Sequence, residues 1–220
     1  MKKYIFILSA VACLLLTSCG ATMTRESEYP NLYTEKPISI LVMPPINNTT
    51  NVEAKELLYT SINTPLIEKG YYVVSPHLAL EILKNESAYD AEMFVNSDIS
   101  MFGNVFGADV VIFSTIEKWQ KLGLGIETEI TYTVRSTKTN EVLFERACDL
   151  YLDLTGQNGN NNSGSLLVGL IRTAVTDHIE AARKCNYYIF RDLPCGKYSI
   201  DYLKDQKEPV DPKNVRMTVR

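Results

Sequence analysis

Between Ile126 and Arg135 the chain alternates without a break. Ile126, Thr128, Ile130, Tyr132 and Val134 share one parity, and Glu127, Glu129, Thr131, Thr133 and Arg135 the other. A period of two sustained this long fits an extended strand with one face on a core and the other toward water. Thr139-Asn140 supplies a turn, and Val142 to Leu152 returns as the hairpin partner. Whatever else the chain does, it must accommodate a long antiparallel hairpin with unequal faces.

The segments before the hairpin read as strands alternating with helices. Ile38 to Met43 is a short apolar run closed by Pro44-Pro45, which suits a buried strand. Asn47 to Asn51 forms a turn with oxygens that cap the following helix. From Val52 to Lys69, Leu57, Leu58, Ile62, Leu66 and Ile67 recur at helical spacing, with a break expected at Pro65 and a cap at Gly70. Tyr71 to Val74 is a second strand, Pro76 opens a short helix, and Ser97 or Asp98 caps another that ends near Gly107. Ala108 to Ile116 is a central strand, Gln157 to Gly164 an Asn/Gly loop expected to be mobile, and Ser165 to about Phe190 a long helix. The order β-α-β-α-α-β-β-β-α predicts an α/β fold with a mixed sheet of about five strands flanked by helices.

The first residues carry an address. Lys2 and Lys3 precede an apolar run from Tyr4 to Leu16. That run is shorter than the roughly 20 residues a bilayer span needs and right for the apolar region of a signal peptide. It ends in Leu16-Thr17-Ser18-Cys19, which resembles the bacterial lipobox. The resemblance implies cleavage before Cys19, a diacylglyceryl thioether on its sulfur and acylation of the new amine; the other reading is an ordinary secretory signal with an incidental cysteine. Several acyl chains anchor far better than one, because each buried methylene adds about 0.8 kcal/mol. Gly20 follows, where lipoproteins kept in the inner membrane often carry Asp, so the outer membrane, on its periplasmic face, is expected.

The chain thus divides into a leader (1–18), a lipidated cysteine with a flexible tether (19–37), a globular α/β domain (38–190) and a charged tail (191–220). A tether of that length reaches about 25 Å root-mean-square, letting the body stand off the membrane. The chain has 220 residues and a formal charge of −4, and loss of Lys2 and Lys3 with the leader leaves −6. There is no basic run and therefore no nucleic-acid footprint. After processing, Cys148, Cys185 and Cys195 remain, an odd number for an oxidising compartment. A disulfide between Cys185 and Cys195 is expected, since the turn Pro194-Cys195-Gly196 can fold back on the preceding helix, while Cys148 reads as a small buried hydrophobe in a strand.

Several motifs together resemble a known family. Ile40-Leu-Val-Met-Pro-Pro-Ile-Asn-Asn-Thr49, Thr64-Pro-Leu-Ile-Glu-Lys-Gly-Tyr-Tyr-Val73, Phe106-Gly-Ala-Asp-Val-Val-Ile112 and the Asn-rich loop into an apolar helix are similar to those of a family of bacterial lipoproteins with no assigned activity. The likeness runs from about Lys36 to Tyr188 and fades by Tyr198, and the chain departs from it in its cysteines and its tail after Asp201. That family is similar in fold to the amino-terminal domain of TolB and to the periplasmic domain of the curli-secretion lipoprotein CsgG. The resemblance implies a place in an envelope-spanning assembly beside CsgG-like lipoproteins. It offers no catalytic residue and no cofactor.

The residues themselves agree with a protein that is not an enzyme. His77 and His178 are far apart in sequence, and His178 with Cys185 would still lack two ligands for zinc. Glu127 and Glu129 sit side by side on one strand face, whereas hydrolysis needs two carboxyls across a cleft. No Gly-x-Ser-x-Gly, phosphate loop or dinucleotide fingerprint occurs. Leu166, Leu167, Leu170 and Ile171, with Val168, nearly encircle the start of the long helix, which is either buried on several sides or leaves a flank for a partner or a second copy. The expected role is a non-enzymatic, lipid-anchored adaptor docking through its sheet edge or this helix. The alternative is a subunit of an oligomeric CsgG-like channel with Ile126–Leu152 as barrel wall, which must explain Arg146 in register with Val142, Phe144, Cys148 and Leu150.

Overall fold

A computed structural model describes residues 23–154 and 166–219, with the side chains of 166–177 outside the description. The elements run α1 (Arg25–Glu28), α2 (Pro30–Glu35), β1 (Ser39–Val42), β2 (Ile46–Asn47), α3 (Ala54–Ser61), α4 (Asn63–Glu68), β3 (Tyr72–Val73) and α5 (Pro76–Asn85). They continue, after a 3-10 turn at Ala91–Met93, with α6 (Ser100–Phe106), β4 (Val110–Leu122), β5 (Gly125–Ser136), β6 (Val142–Asp153), α7 (Leu166–Arg191) and β7 (Asn214–Val219). The fold is mixed α/β, as the element order predicts. The sheet has seven strands in the order β3-β1-β4-β5-β6-β7, with β2 also on β4. The two strands beyond the expected five are β2 and β7.

The sheet has two halves with different physics. β1, β3 and β4 are parallel and lie between helices, so Ile40 and Val42 enter one core while Leu41 and Met43 enter another on the opposite face. Burial on both faces is why β1 reads as a continuous apolar run. β4, β5 and β6 form an antiparallel meander, Ile126 pairing with Leu152 and Ile130 with Cys148. There Ile126, Thr128, Ile130, Tyr132 and Val134 are buried, while Glu127, Glu129, Thr131 and Thr133 stay part-exposed. Glu127 and Glu129 lie 3.4 and 3.6 Å from the Lys118 ammonium, paired on an open sheet face.

The described half of α7 covers the buried face with a clean stripe: His178, Ala181, Ala182, Cys185, Asn186, Ile189 and Phe190. This is the helical repeat of an apolar face laid on a sheet. Asn186 is its polar fastener, accepting from the Tyr132 hydroxyl at 2.8 Å and donating to Ser61 Oγ at 2.9 Å. The helix predicted over Val52–Lys69 breaks at Ile62, ahead of Pro65, into α3 and α4. Gly70 ends it at φ +85°, where its backbone is covered by Ser199. Among the described residues no helix is long and apolar enough to cross a membrane.

The boundaries drawn from sequence need two corrections. The tether expected up to residue 37 is folded from Met23: Thr24 bridges Pro209, and α1 and α2 bury Arg25, Tyr29, Leu32 and Tyr33. Its apolar residues recur at helical spacing, so it has a face to bury. The tail expected from 191 is part of the body as well, since β7 adds a parallel strand to β6 from Asn214↔Ala147 to Val219↔Leu152. Cys19 and the leader, and the whole of the Asn/Gly loop, lie outside the described residues. So do the side chains of Leu166, Leu167, Leu170 and Ile171, although their backbone belongs to α7.

Candidate functional site

Two buried charged clusters tie distant segments of the described chain together. In the first, Asp205 is about 1% exposed. Its carboxylate accepts from Arg25 Nη1 at 3.0 Å, the Tyr33 hydroxyl at 3.0 Å and the Cys195 backbone N–H at 2.8 Å. Burial alone would push its pKa up, but these donors outweigh it and hold the carboxyl below the usual range. Burial, and then the Asp205 charge, push the Tyr33 hydroxyl well above its ordinary value. Tyr71, wholly buried alongside, donates to the Pro194 carbonyl at 2.8 Å.

Cys195 and Lys69 border this cluster and at first sight form a thiolate–ammonium pair. Burial works against both charges, lowering the Lys69 pKa and raising that of Cys195. A protonated thiol is a weak nucleophile, so the pair is detuned for covalent chemistry. The disulfide expected between Cys185 and Cys195 is not present: both are free. Cys185 faces the sheet, with its sulfur 3.1 Å from Thr128 Oγ1. Its neighbour is Cys148, whose thiol is pushed far up by hydrogen bonding to Cys185 and by burial. The helix turn that carries Cys185 points into the core, whereas the Pro194 turn carries Cys195 toward Asp205.

The second cluster centres on Arg146, only about 1% exposed. Its guanidinium is paired with Asp192 and donates to the Asp211 and Pro212 carbonyls at 3.0 and 2.6 Å. Asp192 also accepts the Asp211 N–H at 3.0 Å. The inward-pointing charge that looks awkward in a strand is thus the anchor for the segment leading into β7. A third arginine, Arg135, donates to the carbonyls of Phe94, Val95 and Ser97, fixing the loop before α6.

Two grooves open nearby. One, of about 450 Å³, runs between α3–α4 and α7, past Thr64, Pro65, Glu68, Ile179, Arg183 and Tyr187. It continues into another of about 230 Å³ that reaches Lys69, Cys195, Ser199 and Asp201. His178 does not face them: it accepts from the Trp119 indole N–H at 2.7 Å beneath the sheet face. Among the described residues no three of His, Cys, Asp and Glu converge as metal ligands. Sequence reasoning missed Arg25, Asp192 and Asp205, whose only signal is the cluster they make together.

The Asp205 cluster makes stability depend on acid. Its folded pKa is depressed, so the unfolded chain binds the proton more readily, and stability present above the ordinary carboxylate range is lost as pH falls through the folded value. Asp109 and Asp98, also held low, act in the same sense. Thermal melts of the wild type are expected to fall steeply below about pH 4. Asp205→Asn should lower the melting temperature at neutral pH and flatten that acid limb; an unchanged limb would place the titration elsewhere.

Comparison with known proteins supplies the relationships. The family model described as "Putative lipoprotein GNA1162-like" matches residues 27–189. The "Putative lipoprotein NMB1124/NMB1162" of Neisseria meningitidis serogroup B is 28% identical over 174 residues, which is 79% of this chain and 80% of that protein. The crystal structure of lipoprotein GNA1162 from Neisseria meningitidis superposes with a TM-score of 0.49 at 24% identity, over 66% of this chain and 97% of that one.

Proposed function

Because the chain belongs to the GNA1162-like lipoprotein family, we propose that it is anchored through Cys19 on the periplasmic side of the outer membrane and works there as a non-enzymatic adaptor. In this role it joins other envelope lipoproteins, of the CsgG-like kind, in a trans-envelope assembly. The observation that carries the reading is where the charged groups go. Asp205, Arg146 and Asp192 are each engaged by partners within the chain, and burial works against the charged forms of both Lys69 and Cys195. These charged groups are engaged within the chain, which supports a polar interior that holds a surface in shape. The surfaces offered to a partner are the free edge of β7, suited to strand addition, and the groove between α4 and α7.

The channel reading draws on strand length. β5 and β6 have 12 residues each, and a tilted membrane strand needs about 9–11. Against it, one face of that hairpin is occupied by α7 and holds Arg146 paired to Asp192. Freeing the hairpin for a barrel means unpacking the largest core of the body.

Two measurements test the proposal. Full-length protein expressed in a bacterial host should fractionate with membranes and carry the mass of an acylated Cys19, and Cys19→Ser should move it to the soluble periplasmic fraction. Light scattering of the detergent-extracted wild type should give a monomer or dimer, with cross-links to other lipoproteins. A homogeneous ring-sized oligomer would replace the adaptor by the channel.

A further inference from the structure

The folded start of the body has a consequence for how it meets the membrane. The Met23 carbonyl accepts from Val210 N–H at 3.0 Å, Arg25 N–H donates to the Glu208 carbonyl at 2.9 Å, and Glu26 N–H to the Gln206 carbonyl at 3.1 Å. The chain therefore leaves the body at one fixed place, against the 206–210 segment. Only four Cα steps separate Cys19 from Met23, at most about 14 Å fully extended. The polar layer on each side of a bilayer is roughly 5–7 Å thick. Whatever surrounds the exit point is held at the lipid surface.

What surrounds it is the loop from Gly196 to Pro209. Lys204 Nζ donates to the Ile200 carbonyl at 2.8 Å, and the next residue, Asp205, holds Arg25. Ile200 is therefore close to the exit. It is 85% exposed, Tyr198 68% and Met23 54%, a high apolar exposure for one small region. Lys197, Lys204 and Lys207 are exposed in the same loop, against exposed Asp201, Glu26 and Glu208, the last paired to Arg25 at 2.7 Å. Resting on the proposed Cys19 anchor, we propose that this loop is a membrane-contact face: Tyr198 and Ile200 enter the headgroup layer of the bilayer that holds the acyl chains, with the lysines reaching lipid phosphates. Tyrosine with an apolar body and polar tip, and lysine with a long stem, are suited to that boundary.

The opposite end of the meander then points away. β6 runs from Ala147, beside Asn214, to Asp153, beside Gly125. Those six steps span about 20 Å. The β4–β5 tip, with Leu124 71% exposed, lies beyond that far end.

The test uses full-length lipidated protein in vesicles of phosphatidylethanolamine and phosphatidylglycerol, with or without lipids brominated on their acyl chains. Ile200→Trp is compared with Leu124→Trp, buried Trp119 serving as the internal reference in both. The indole at 200 is expected to lose about half its emission to brominated lipid, as a side chain seated in the interface does, and the one at 124 none. Equal emission at the two sites in vesicles that carry the protein would overturn the contact face while leaving the anchor intact. Protein that fails to float with vesicles, wild type and Cys19→Ser alike, would remove the anchor and this face with it. Cross-linking of residue 200 to a protein in native membranes, without quenching, would assign the loop to a protein partner instead and reject the lipid contact.

Discussion

Replacing Asp192 by Ala is expected to lower the unfolding free energy by about 3–5 kcal/mol, the cost of leaving a buried cation without its counter-ion. Arg146 has almost no access to solvent, and its remaining acceptors would be the Asp211 and Pro212 carbonyls. Neutral acceptors do not repay the hydration the guanidinium gives up. The double variant Arg146→Met with Asp192→Leu removes both charges and should lose less than Asp192→Ala, because an apolar pair of similar bulk carries no desolvation penalty. Urea unfolding of the three proteins measures this directly. If the double variant is the less stable, the pair contributes attraction beyond cancelling its own burial. If Asp192→Ala costs under about 1 kcal/mol, the guanidinium reaches water, as an exposed pair would.

The second large effect is expected at Gly70. A Cβ there would come within 2.3 Å of the Ser199 backbone nitrogen, and the residue sits at φ +85°. Gly70→Ala should therefore cost about 2–5 kcal/mol, combining left-handed strain with a backbone clash. Gly107 is the control: its φ is +64° but nothing lies within 4 Å of the added carbon. Gly107→Ala should cost only the strain, about 1–2 kcal/mol. The difference between the two isolates the fit of the 196–199 loop over the α4–β3 turn. Equal losses would mean that loop yields freely.

Much of the architecture is legible without coordinates because it is local. The alternation from Ile126 to Val134 reports one open face and the unbroken β1 run two covered ones, each within a handful of residues, while Arg135, of the open parity, is buried. The break near Pro65 and the Thr139-Asn140 turn, with Asn140 at φ +62°, are equally local. The two ends carry weaker signals. Tyr29, Leu32 and Tyr33 do carry helical spacing, and Val215, Met217 and Val219 do alternate with Arg216 and Thr218. Both signals are short and sit in polar surroundings, so neither segment could bury itself alone. They become structure only by closing on the body. Arg25 and Asp205 are 180 positions apart, and nothing in either neighbourhood announces the other. Cys185 illustrates the reverse error: proximity in sequence suggested Cys195, while helix phase turned its thiol toward Thr128 and Cys148.

The Arg25–Asp205 closure also fixes an order of events as the chain emerges. The chain is made amino end first, so Arg25 is in place long before its partner. Until residues 205–219 arrive, neither Asp205 nor β7 exists to complete the body, and Arg25 lacks its carboxylate partner. A loop of that length closes late, because the entropy of joining its ends is overcome only once the intervening core has formed. Under the proposed lipidation, enzymes acylating Cys19 would meet a chain whose first folded residues are still loose, and the leash would reach its final length only once the carboxyl end has closed on the body.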